Sequence, residues 1–184
     1  MDFLLQETMG YKIITIGSSA GAYAAVLYGS LLNAYQVIAF NPLFEIKSKL
    51  ISTDESINPL VFRLKDTPLS DYYDIIHLME THPVDIFYFY SNKSERDKKQ
   101  CEHARNITGI HRITFSSAHH GIPFLKVCLP RVINLDKDTL LGLVGKVQYP
   151  YFFSVKMVGL WNTLHGLISQ IYKVYVRKMI RQRK

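Results

Sequence analysis

Cysteine is scarce in this chain: Cys101 and Cys128 are the only two among 184 residues, and they lie far apart. They make neither a disulfide framework nor a zinc-ligand spacing, so no metal is expected and a reducing compartment is favoured. Two phosphate-binding patterns are missing as well. No Gly-Lys-Ser/Thr follows a glycine-rich turn, and G-x-G-x-x-G does not occur, which excludes the P-loop and dinucleotide readings. No cofactor is expected. The amino terminus, Met1 to Glu7, lacks a basic stretch followed by an apolar run, so no secretory leader is expected and the cytoplasm is the expected location.

Acidic residues are also outnumbered, 15 against 22 lysines and arginines. The excess gathers at the carboxyl end, where Arg177, Lys178, Arg181, Arg183 and Lys184 follow Lys173. Such a tail suits an anionic membrane surface, nucleic acid or an acidic partner; a solvated helix end with cations complementing the macrodipole is the plain alternative. No nucleic-acid recognition motif accompanies it, so no nucleic-acid partner is expected. With 48% hydrophobic and 20% charged residues, the remainder has the composition of one soluble domain with a single core.

The most informative segment is Gly17-Ser18-Ser19-Ala20-Gly21, a G-x-S-x-G match centred on Ser19. Before it, Tyr11 to Ile16 is a β-branched run of parallel-strand composition; after it, residues 20–33 are rich in Ala and Leu and free of proline. A strand, a tight turn and a helix in that order expose a serine hydroxyl at the turn's apex, with glycines at 17 and 21 expected to avoid collisions between strand and helix. Further strands are expected at 36–40, 84–90 and 111–115, with helices near 72–80 and 97–106 between them, and an irregular excursion over 43–83. This alternation predicts an α/β fold of about four parallel strands with helical crossovers.

Ligands and catalytic groups gather beyond the carboxyl ends of parallel strands. Ser19 follows the first strand, acidic residues follow the third, and His119-His120-Gly121 follows the fourth. A serine nucleophile needs a base near neutrality and an acid to orient it. His120 is the preferred base because Gly121 lets the chain turn just beyond it; His119 is the alternative. Asp97 is the preferred acid, with Glu95 and Glu45 as competitors. The N–H of Ala20, the residue after the nucleophile, is the expected oxyanion donor.

With those residues in place, the segment from about Tyr11 to Phe124 resembles the carboxyl-terminal half of an α/β-hydrolase, elbow onward. Within that superfamily, Ser18-Ser19-Ala20-Gly21-Ala22-Tyr23 followed by Ala39-Phe40-Asn41-Pro42 resembles small esterases and O-acyltransferases associated with bacterial surface polysaccharides. The resemblance implies a serine esterase or acyltransferase working through an acyl-enzyme on Ser19, on a glycan or small-molecule ester. Complete members carry several strands before the elbow, whereas Ser19 has eighteen residues before it. The expectations are an amino-terminally shortened chain, a half-sheet supplied by a partner chain or a second copy at an unpaired edge, or a non-catalytic binding or scaffold relative.

The chain divides at this level into a partial α/β-hydrolase domain over 1–125 and a helical extension over 126–184. In the extension, Leu160, Trp161, Leu164, Ile168, Ile171, Tyr172 and Tyr175 recur at three- and four-residue spacing, predicting an amphipathic helix over 155–182. Polar interruptions argue against a membrane span. A helix lying on the inner face of the membrane and a helix packed on the domain are the two readings left open.

Overall fold

The computed structural model describes residues 1–46 and 66–182. Asp54-Glu55-Ser56 of the expected excursion, and Arg183 and Lys184 of the basic tail, lie outside that range.

Its centre is a sheet of five parallel strands in the order β1 (Ile14–Ser18), β2 (Gln36–Phe40), β3 (Ile86–Ser91), β4 (Ile110–Phe115) and β5 (Val147–Gln148). The fold is therefore α/β, with one strand more than expected. β5 is only two residues long, pairing Val147 with Thr114 and Gln148 with Phe115, and so short a piece has no readable periodicity.

Because side chains alternate along a strand, β2 and β3 feed two separate layers. Val37, Ala39, Ile86 and Tyr88 point to one face and pack with Ala22, Ala25 and Val26 of α2 (Ala20–Leu31). α1 (Asp2–Glu7) precedes this core and buries no residue. Met79 of α3 (Ile76–Thr81) and Ala104, which ends α4 (Glu95–His103), complete that layer. Ile38, Phe40, Phe87 and Phe89 point to the other face, where the chain beyond Phe124 covers them. That cover comprises α5 (Leu129–Val132), α6 (Lys137–Leu141) and α7 (Pro150–Val158), with Val132, Leu140, Phe153 and Met157 buried.

The helix expected over 155–182 is broken. Gly159, at φ 82°, ends α7, and α8 (Leu160–Gln182) sets off in a new direction. Glycine takes that left-handed conformation without the cost a Cβ imposes.

β1 is an edge strand. It pairs with β2 alone, and Ile14 and Ile16 keep 45% and 44% of their surface exposed.

At the amino ends of the strands, far from Ser19 along β1, Asp85 takes His111 Nε2 on one oxygen at 2.6 Å and Lys137 on the other. Partial burial pushes its carboxyl up, but the hydrogen bonds from Lys137 and His111 outweigh that and hold it below the usual carboxylate range. A depressed carboxyl stabilises the fold above its unfolded pKa, about 4, and that contribution is lost as pH falls through the lower folded value. Asp85→Asn is thus expected to lower Tm at neutral pH, with the difference from the parent shrinking below about pH 4. Thermal melts from pH 7 to 3 check this; a difference that grows in acid contradicts it.

Candidate functional site

The site is built where β1, β2, β3 and β4 end. β1 runs directly into α2 through Ser19, whose φ of 55° and ψ of −118° lie in a region that L-residues seldom occupy. Such a conformation costs on the order of 1–3 kcal/mol and persists only when its surroundings enforce it. The enforcement is visible. Ser19 N donates to Phe40 O at 2.9 Å, fixing the turn to the end of β2, and Ser19 O accepts from Ala22 N and Tyr23 N at 3.0 and 3.1 Å.

Gly17 makes the turn possible. A Cβ there would sit 2.0 Å from the carbonyl oxygen of Gly21 and 2.6 Å from the nitrogen of Ala22, both backbone atoms that cannot swing away. Gly21 is different, and here the expectation of a collision fails: a Cβ at 21 meets nothing within 4 Å outside its own helix backbone. The close approach is one-sided because the Gly21 carbonyl, not its Cα, faces the strand.

Three of the expected residues come together. Ser19 Oγ lies 2.6 Å from His120 Nε2, and His120 Nδ1 lies 2.6 Å from Asp97 Oδ1. With Asp97 ionised, Nδ1 carries the proton and donates to it, which leaves Nε2 as the acceptor for the serine hydroxyl. Asp97 has no exposed surface, whereas His120 and Ser19 are only partly buried. The acid is therefore shielded, and the serine end of this hydrogen-bonded chain is reachable.

The alternatives are placed elsewhere. Glu95, two residues before Asp97, is exposed and pairs with Lys98 at 2.5 Å; that hydrogen bond holds its carboxyl below the usual range. Glu45 is engaged through its backbone, with its N–H donating to Gln100 Oε1 and its carbonyl accepting from Gln100 Nε2. His119 is exposed, and its Nε2 lies beside Gly121, 3.7 Å from where a Cβ there would sit. Ala20 opens α2 immediately after Ser19, where first-turn amides have no intrahelical acceptor.

α4 presents Asp97 through two devices. Ser94 caps the helix, its Oγ accepting from Asp97 N at 3.4 Å, which puts the carboxylate in the first turn where the helix dipole favours negative charge. One turn on, Gln100 Oε1 accepts from Phe44 N at 2.6 Å as well as from Glu45 N, tying α4 to the chain leaving β2.

Asn41 and Ser91 belong to the site and were not among the expected residues. Asn41, at φ 45°, follows β2 and is fully buried. Its Nδ2 donates to Gly121 O at 2.7 Å and to Ser91 Oγ at 2.9 Å, while its Oδ1 accepts from Ser91 N at 2.9 Å. Ser91 Oγ in turn donates to His119 O at 2.7 Å. The two carbonyls flanking His120 are thus held from below by side chains at the ends of β2 and β3. The available signal was positional: Asn41 and Ser91 end adjacent strands, on the side where the serine, acid and histidine gather.

Phe124 anchors the same loop from its far end, its ring packing at 5.2–5.9 Å from Phe40, Phe89, Phe115 and Phe153. The thiols play no part. Burial pushes both Cys101 and Cys128 above the usual thiol value, which disfavours the thiolate. Among the described residues, no group of three His, Cys, Asp or Glu side chains could hold a metal ion.

A cleft of about 660 Å³ opens beside His119, between Lys126 and the inner side of α8 at His165, Ser169 and Lys173. Every ionisable group on its lining is basic.

Comparison with protein-family models, with curated proteins and with solved structures finds no match to this chain.

Gly17→Ala is expected to destroy the turn, lowering the melting temperature and disordering Ser19, because no neighbouring backbone atom can move 1 Å without breaking β1 or α2. Gly21→Ala is expected to be neutral or stabilising by up to about 1 kcal/mol, the helix-propensity gain. Melts of the two variants side by side test the one-sided contact; equal destabilisation would contradict it.

Proposed function

We propose that this chain is a serine-nucleophile acyl-transfer protein of the α/β-hydrolase type, an esterase or O-acyltransferase. The observation that carries the reading is the continuous chain Ser19 Oγ, His120 Nε2, His120 Nδ1, Asp97 Oδ1, with both junctions at 2.6 Å. The strained serine between a parallel strand and a helix supports it independently, since such strain collects where a side chain must be presented to a substrate.

In the proposed reaction Ser19 Oγ attacks an ester carbonyl while His120 Nε2 takes its proton. Asp97 keeps the imidazole in the required tautomer and stabilises its cationic form. The Ala20 N–H contributes to holding the oxyanion. Collapse of the tetrahedral intermediate breaks the ester C–O bond, and His120 returns the proton to the departing alkoxide. Water or a sugar hydroxyl then attacks the acyl-enzyme with His120 again as base, releasing acid or a new ester and restoring Ser19.

The cleft at His119, lined by neither Ser19 nor His120, is of a size that takes a small-molecule ester or a sugar unit, and its ionisable lining groups, all basic, favour one carrying a carboxylate or phosphate. A glycan acceptor fits the resemblance of the Ser18–Tyr23 turn. A second reading, a binding or scaffold protein of the same fold, draws on the open edge of β1: Ile14 and Ile16 there suit pairing with a partner chain or a second copy.

Turnover of p-nitrophenyl acetate separates the residues. His120→Ala is expected to lower kcat/KM about 10³-fold or more, and Asp97→Asn by a comparable order through loss of the correct tautomer. His119→Ala is expected to act on KM, by less than about tenfold. Equal small losses at 119 and 120 would remove both from the chemistry, and undiminished turnover in Ser19→Ala would overturn the reading.

A further inference from the structure

We infer that the outer face of α8 is a docking surface for an anionic lipid bilayer. The helix has two unlike sides. Toward the protein it offers small residues: Gly166 and Thr163 are buried, and a Cβ at Gly166 would lie 2.8 Å from Val127 Cγ1, so the helix is seated as closely as glycine permits. At about 100° per residue, Trp161, Leu164, Ile168, Ile171, Tyr172 and Tyr175 fall on the opposite side. All six are exposed there, Trp161 by 82%, Tyr172 by 69% and Ile168 by 65%. The apolar stripe that periodicity finds is turned away from the core.

Its surroundings say what would cover it. From Thr139 to Lys184 the sequence has no Asp or Glu, but it has eight Lys and Arg residues, six of them from Lys173 onward. A face whose apolar side chains include tryptophan and tyrosines, continuing into a cationic end with no compensating acid, matches the headgroup and upper acyl region of a negatively charged leaflet. A second copy would bring the same positive charge against itself. Spanning is excluded for the described helices, none of which is long and apolar enough to cross a membrane. On α7, Phe152, 79% exposed, and Tyr151 are large exposed aromatic side chains as well.

The test is co-sedimentation of the full chain with vesicles of phosphatidylcholine alone and of phosphatidylcholine with phosphatidylglycerol. The expected result is binding to the anionic vesicles, weakened at least about tenfold by high salt, and little binding to the neutral ones. Removing single charges, as in Lys178→Gln or Arg181→Gln, should weaken partitioning roughly fivefold each at low salt. The triple variant Trp161→Ser, Ile168→Ser, Ile171→Ser should lose binding about 100-fold or more while keeping the parent's melting temperature, since these side chains are exposed. No binding to anionic vesicles at low salt overturns the inference. So does equal, salt-insensitive binding to both vesicle types. Concentration-dependent dimerisation that the triple variant abolishes, without vesicle binding, would assign the stripe to a second copy instead.

Discussion

The approach of α2 to β1 at Gly17 is the constraint on which the carboxyl end of the sheet depends. With hydrogen alone at Gly17, the Gly21 carbonyl can lie where a side chain would be, and the chain reverses within a single residue. That residue, Ser19, is forced to positive φ and is raised above the strand ends. Its N–H bond to Phe40 O then fixes the turn against β2, so the hydroxyl occupies one place relative to everything that follows β2, β3 and β4.

The partners of Ser19 are held to the same strand ends by polar bonds rather than by their own loops. Asn41 and Ser91, both fully buried, bind the carbonyls on either side of His120, and Gln100 binds the chain after β2 to the helix that carries Asp97. Buried amides and hydroxyls with their partners satisfied specify one arrangement, because any displacement leaves them unpaired at a cost of about 1–3 kcal/mol each. Phe124 does the corresponding work on the apolar side, holding the end of the histidine loop in the aromatic layer.

Much of this could be read before any coordinates, and the division follows physical lines. Ser19, Asp97 and His120 were legible because strand, turn and helix leave local signals: β-branched runs, bracketing glycines, and an acid or histidine just past a strand. Asn41 and Ser91 were not, since their role lies in pairing with carbonyls 80 and 28 residues away in sequence, and locally they look like loop polarity. β5 escaped because two residues show no alternation. The requirement at Gly21 was overestimated because a motif shows that two glycines flank the turn but not which of them faces the other's backbone. Periodicity likewise located the apolar stripe of α8 without its direction; Gly166 against Val127 decides that, since the small side of the helix is the one seated on the rest of the chain.

The central claim is that Ser19, and no other serine, is the activated nucleophile. Treatment of the full chain with a fluorophosphonate, followed by mass-spectrometric mapping of the adduct, tests it most directly. The account predicts a single stoichiometric label on Ser19, absent from Ser19→Ala and strongly slowed in His120→Ala. A label on Ser18, a label that survives Ser19→Ala, or no reaction at Ser19 while the protein remains folded would contradict it.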